Sequence, residues 1–244
     1  MKPPSRPPPA TGAGKVATNR PVKAAVKPVR AGPSKGVWKG RGRAPSPAPQ
    51  TGMQLHTADG MRKYLTTGER DRFLRAAEQA DRPVRTLCMT LAYAGCRLSE
   101  ALALTADRAD MEAGVLVFES LKKRRSGIFR AVPIPPDLLD VFGMVHGIRE
   151  QQGGRGRGHR IRLWPWSRMT GWRAVHAVMQ VAGLEGVPAS PKGLRHGFGV
   201  AAVTAGIPLN LVQKWLGHAQ LSTTAVYANA VGDEEKDIAR RMWG

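Results

Sequence analysis

Residues 66–100 read TTGERDRFLRAAEQADRPVRTLCMTLAYAGCRLSE. Thr66, with Glu69 three residues on, is the signature of a capping box, in which side chains satisfy the free N–H groups of a helix start. The helix that follows carries Phe73, Leu74 and Ala77 on one face. Pro83 suits the first turn of a second helix, which buries Leu87, Leu91 and Ala94 and is stopped by Gly95. Arg97-Leu98-Ser99-Glu100 then opens a third, short helix running to Leu104. This is helix-on-helix patterning with a basic residue set at the turn.

Downstream, Val115 to Leu121 and Ile128 to Ile134 read as strands joined by a hairpin turn at Ser126-Gly127. Pro135-Pro136 starts a helix with Leu138, Leu139, Phe142 and Val145 inward. Gly153 to Arg162 is a basic, glycine-rich loop. Helices are expected near 168–182, 192–205, 208–216, 221–229 and 233–243, and no segment repeats. The expected fold class is mainly α with a small antiparallel β-sheet (α+β).

Upstream the composition changes. Residues 1–50 hold 11 Lys or Arg, no Asp or Glu, and 11 of the 19 prolines. Proline removes backbone donors and like charges repel, so residues 1–60 are expected to be a disordered basic arm, with the folded domain at 61–244. The whole chain of 244 residues has 38 basic and 18 acidic side chains, a formal charge of +20. Beyond residue 50 the balance is still 27 basic to 18 acidic. Such a charge points to a polyanionic partner, most plausibly nucleic acid. Two cysteines, Cys88 and Cys96, exclude a disulfide framework and a zinc module of ordinary spacing. No apolar run is long enough to span a membrane, and there is no secretory h-region. A cytoplasmic protein in a reducing compartment is expected.

Three segments concentrate cations and one phenol at helix ends: Ala94 to Glu100, Pro191 to Phe198, and Trp215-Leu216-Gly217-His218 followed nine residues later by Tyr227. Each alone has an ordinary explanation. An arginine at a helix start is usually a solvated charge, and one on a helix face usually lies over apolar surface. A histidine after glycine is usually a helix cap, and a lone tyrosine is usually core. Their joint occurrence in this order outweighs those readings.

In that order the chain resembles the catalytic domain of the tyrosine recombinases, the phage integrase family. The resemblance runs from about Lys63 to Ala230. It rests on Gly95-Cys96-Arg97-Leu98-Ser99-Glu100, on Lys192-Gly193-Leu194-Arg195 continuing as His196-Gly197-Phe198, on Leu216-Gly217-His218, and on Ala225-Val226-Tyr227 after Ser222-Thr223-Thr224. It implies that Tyr227 attacks a DNA phosphodiester, leaving a 3′-phosphotyrosyl bond and a free 5′-hydroxyl. Arg97 and Arg195 would clamp the phosphate, His218 would donate to a phosphate oxygen, and a hairpin lysine would protonate the leaving oxygen. That chemistry suits these residue types. Negative charge grows on the non-bridging oxygens, and guanidinium groups answer it with planar donors that stay charged. A phenol of pKa about 10 needs nearby cations to ionise. No metal and no cofactor are implied.

Two features depart from the family pattern. Lys192 stands where histidine is commoner, so it is read as a cation aimed at the phosphate. The hairpin run Leu121-Lys122-Lys123-Arg124-Arg125 leaves the proton donor open: a gap-free count back from Val132-Pro133 lands on Arg125, a poor donor, whereas Lys123 is preferred and Lys122 would also serve. The remaining residues among Lys122, Arg124 and Arg125 are read as a DNA-binding ridge. Glu100 and His196 are read as supporting residues, Cys96 as a small buried one, and Trp172 and Trp215 as core.

The resemblance further implies double-stranded DNA as partner, a homo-oligomer (a tetramer on synapsed DNA), and a nucleoid-associated place in the cell. Most members grip DNA with an additional N-terminal helical domain. Before Met61 this sequence offers only the arm, so the arm or an accessory protein is expected to replace that clamp. The C-terminal helix, Glu234 to Trp243, is read as docking on a neighbouring subunit or on its own domain. A rival reading takes Ala205-Gly206-Ile207-Pro208 as the turn of a helix-turn-helix in a non-catalytic DNA-binding or regulatory protein. An RNA-binding reading lacks exposed aromatic platforms.

Overall fold

The capping box forms as the sequence prescribes. Thr66 Oγ1 accepts from the Glu69 N–H (3.3 Å) while the Thr66 N–H donates to Glu69 Oε2 (2.8 Å). This starts α1 (Thr67–Glu78), whose Phe73, Leu74 and Ala77 are buried. The computed structural model describes residues 54–120, 127–153 and 161–229, with 236, 239, 240, 242 and 243 near the C-terminus. Residues 1–53, most of the expected arm, lie outside the described residues, as does most of the basic glycine-rich loop. Leu55 is already buried, so core packing begins N-terminal to Met61.

Pro83 lies in the first turn of α2 (Arg82–Ala94), and Gly95 ends it in the left-handed region with φ 57°. Any side chain at Gly95 would meet the Phe198 ring, its Cβ lying 2.4 Å from Cδ1. The turn before Arg97 is therefore pressed against the second basic segment. α3 (Leu98–Ala101) stops three residues short of the expected Leu104. A three-stranded antiparallel sheet follows: β1 (Ala109–Asp110), β2 (Val115–Glu119) and β3 (Phe129–Pro133), with Val117 opposite Ala131. β1 has two residues, too few to show a period in sequence. Gly127 has φ 81°, as a hairpin turn requires.

Six further helices complete the described body: α4 (Pro136–His146), α5 (Ile148–Gly153), α6 (Arg168–Val181), α7 (Pro191–Thr204), α8 (Leu209–Leu216) and α9 (Leu221–Ala225). A single 3₁₀ turn, Val226–Asn229, carries on from α9 where an unbroken helix was expected. Residues 236, 239, 240, 242 and 243 of the expected C-terminal helix are helical. The mainly helical reading with one small antiparallel sheet holds.

Buried side chains gather in two clusters. The larger joins α1 to α4, α6 and the sheet around Phe73, Leu87, Leu91, Phe118, Phe142 and Trp164. The smaller joins Leu55, Tyr64, Val200, Val212, Leu216 and Tyr227. α7 runs between them, with Leu194 in the larger and Val200 in the smaller.

Trp172 corrects the sequence reading, since it is 39% exposed and outside the core. The buried stripe of α6 is Gly171, Val175, Val178 and Met179. Gly171 leaves room for Leu98 and Leu102 to fill that stripe. Trp172, about 100° further round the helix, instead stacks on His176 with ring centroids 4.7 Å apart. Trp215 is half-buried against the larger cluster, as expected.

Candidate active site

α7 opens with Ser190 as its cap, accepting from the Gly193 N–H at 3.1 Å, and with Pro191 in its first turn. This start leaves Lys192 exposed and carries Arg195 and His196 into the interior. Arg195, only 7% exposed, donates from Nη1 to the Gly95 carbonyl (2.7 Å) and from Nη2 to the Leu216 carbonyl (2.6 Å). Both acceptors are at helix ends, where carbonyls lack intrahelical partners. One guanidinium thus ties the end of α2 to the end of α8 and keeps further donors for a ligand. Burial and nearby Arg97 lower its pKa to about 10, so it remains charged at neutral pH.

Arg97 stands at the start of α3, its side chain 26% exposed. Glu100, fully buried, meets the Arg97 guanidinium through Oε1 at 2.6 Å and accepts the Arg97 backbone N–H through Oε2 at 2.9 Å. The same Oε2 accepts from Arg130 Nη2 at 2.6 Å. Burial raises the Glu100 carboxyl, but Arg130 and Arg97 outweigh it and hold the group below the ordinary carboxylate value. Glu100 is the supporting group that the sequence suggested.

His218 follows Gly217, which ends α8 at φ 67°. Its Nδ1 hydrogen-bonds Thr224 Oγ1 at 2.9 Å, fixing the ring face-on to Tyr227 with centroids 6.1 Å apart. Burial, then the charge of Arg195 and Arg97, pushes its pKa down to about 3, so the ring is neutral. Tyr227 lies in the 3₁₀ turn and is 1% exposed. Its hydroxyl shares a hydrogen bond with Nδ1 of His196 across 3.3 Å. Its ring lies on Gly199, where a Cβ would fall 2.5 Å from Cζ. Burial raises the phenol to about 12, while Arg195 and Arg97 pull it the other way. His196 is itself held near 4 by burial and by the cations Lys192, Arg195 and Lys63.

Arg97, Arg195, His218 and Tyr227 therefore share one electrostatic environment, and Lys192 flanks it next to His196. Lys122, Lys123, Arg124 and Arg125 lie outside the described residues. The sequence reading missed Arg130. Its signal was available: in the alternation of β3 it shares the inward face with Val132, an unusual position for a charge. His196, read as a supporting residue, hydrogen-bonds the phenol. Cys96 is fully buried, its thiol raised to about 12 by burial, and is inert at neutral pH. Among the described residues no cluster of His, Cys, Asp or Glu could hold a metal ion. No helix among them is long and apolar enough to cross a membrane. The tight turn between α7 and α8 is present, with Gly206 at φ 77°.

Comparison with known proteins points to one family. The phage integrase family matches residues 63–233. Tyrosine recombinase XerD of Pseudomonas aeruginosa is 30% identical over 180 residues, covering 69% of this chain and 58% of the relative. Tyrosine recombinase XerA of Thermococcus kodakarensis is also 30% identical, over 68% of this chain and 57% of the relative. The chain thus spans little more than half the length of these relatives. Among solved structures, that of XerA recombinase superposes with a TM-score of 0.61 at 22% identity, over 73% of this chain and 64% of that one. XerH site-specific recombinase bound to its difH substrate gives 0.58 at 19%, over 78% and 60%.

Proposed function

The chain belongs to the phage integrase family, and from that premise we propose that it breaks and rejoins DNA strands through a covalent bond to Tyr227. The observation that carries this reading is a buried phenol with the His218 ring stacked on it at 6.1 Å and the charges of Arg195 and Arg97 acting on it. In the reaction the Tyr227 oxygen attacks phosphorus, a P–O(Tyr) bond forms, and the bond to the 5′-oxygen breaks. The phenolic proton leaves to a neighbouring base or water, and the 5′-oxygen takes a proton, which Lys123 on the hairpin would give. Arg97 and Arg195 answer the charge that builds on the non-bridging oxygens, and the neutral His218 adds a donor. Lys192, exposed at the start of α7, supplies a further cation to the phosphate. Rejoining is the reverse step, with another strand's hydroxyl attacking the tyrosyl ester.

At 1% exposure the phenol is out of reach of any phosphodiester. Attack requires the 3₁₀ turn to swing Tyr227 away from His196 and Gly199. Double-stranded DNA is the substrate of this reading, the +20 charge its long-range attraction, and a nucleoid-associated cytoplasmic setting its place. A tetramer on synapsed sites, with the basic N-terminal arm or an accessory protein supplying extra grip, completes the proposal.

The test is incubation with a pool of nicked duplexes of randomised sequence, followed by denaturing gel electrophoresis. A covalent protein–DNA band that survives chelator and is absent in Tyr227→Phe is expected. Sequencing the trapped strand then locates the site. DNA binding with no such band overturns the reading in favour of a non-catalytic DNA reader.

A further inference from the structure

Arg130 is a buried charged side chain for which the reaction above has no use. It projects inward from β3 and is 7% exposed. Three contacts fix its guanidinium: Nη2 donates to Glu100 Oε2 at 2.6 Å, Nε donates to the Trp215 carbonyl at 2.7 Å, and Cζ sits 5.3 Å from the centroid of the Phe118 ring. Gly217 completes the seat, because a Cβ there would come within 3.1 Å of Nη1.

The charges in this cluster decide what Arg130 does. Glu100 is a buried carboxylate with an oxygen 2.6 Å from the Arg97 guanidinium. Taken as a pair, those two groups sum to zero, and Arg97 would present a phosphate with a neutralised cation. Arg130 on the other carboxylate oxygen makes the group of three net positive. In a poorly solvated interior that difference is felt strongly at the exposed end of Arg97. We infer that Arg130 is a positioning residue that prevents Glu100 from cancelling Arg97, so that Glu100 orients the first arginine without discharging it. The inference rests on the reading of Arg97 as a phosphate clamp.

The test uses the full chain and a charge cycle: Arg130→Gln, Glu100→Gln and the double variant, with single-turnover adduct formation and thermal melting as readouts. Arg130→Gln is expected to slow adduct formation by about 10²-fold, in line with loss of one transition-state donor. Adding Glu100→Gln is expected to restore the rate at least about tenfold over that single variant, since no uncompensated carboxylate remains. A merely packing role predicts no rescue. A double variant no faster than Arg130→Gln, or an Arg130→Gln variant with wild-type rate, overturns the inference. Where Arg130→Gln does not fold, the double variant is read against the wild type: a rate within about tenfold supports the inference and a lower rate overturns it. Binding of inorganic phosphate, followed by phosphorus NMR line width, supplies the same ranking without DNA cleavage. An unreactive wild type would thus refute the proposed reaction, while the phosphate ranking still decides the role of Arg130.

Discussion

The arginine side of the site and the tyrosine side are built differently. Arg97, Arg130 and Arg195 are held by a buried carboxylate and three helix-end carbonyls, through bonds of 2.6–2.7 Å. They bind α2, α3, β3, α7 and α8 into one unit. Tyr227 hangs on a five-residue helix and a 3₁₀ turn, with one 3.3 Å bond to His196. Charge-assisted bonds are worth roughly twice neutral ones. In the proposed reaction the groups that answer the phosphate charge are thus fixed in advance, and the group that has to travel is weakly tethered. Fixed dipoles and charges cost no reorganisation when charge develops. A nucleophile seated out of reach needs freedom.

Substitutions on each side sharpen this contrast. Tyr227→Phe should abolish the covalent band entirely while leaving the melting temperature almost unchanged, because only the His196 bond is lost. Arg195→Lys should slow adduct formation by about 10²–10³-fold. It should also lower the melting temperature, because lysine cannot span the carbonyls of Gly95 and Leu216 as a rigid fork. Equal melting of the two variants would break the contrast. Gly199→Ala should displace the Tyr227 ring at a cost of about 1–3 kcal/mol in urea unfolding. It should also expose the phenol to nitration, with binding of phosphate at the arginine side unchanged.

Acid provides a milder probe. His196 and His146 are held near 4 and His218 near 3, below the 6.5 of a free imidazole, chiefly by burial. The unfolded chain therefore binds more protons than the folded one below pH 6.5. Stability should be full above that pH and fall as pH drops toward 4, measured as melting temperature. His146, bonded to Thr86 and packed on Phe142 and Trp164 in the larger cluster, reports the distant core. His146→Gln should leave only the share belonging to the tyrosine side. The smallest effect should come from Thr224→Val, which removes the His218 bond and costs about 0.5–1.5 kcal/mol of unfolding free energy.

Much of this was legible in the chain because local rules govern it. The Thr66 capping box, Pro83 and Gly95 carry their geometry in one turn of sequence each. The site motifs were readable because each basic residue lies beside a helix end. Arg130 was harder to find, since its meaning comes from Glu100 and Trp215, 30 and 85 residues away. Trp172 misled for a related reason. Its exposure depends on Leu98 and Leu102 filling the space over Gly171, which no period within α6 reveals. The burial of Tyr227 likewise depends on Gly199 in another helix.

That glycine has one more consequence. In the proposed reaction the aromatic ring swings out to meet a strand and leaves a hollow over Gly199. Empty space of that kind in a packed interior is costly. On that proposal, return of the ring is the downhill direction once the strand is released, and resetting the site between rounds needs no external energy source.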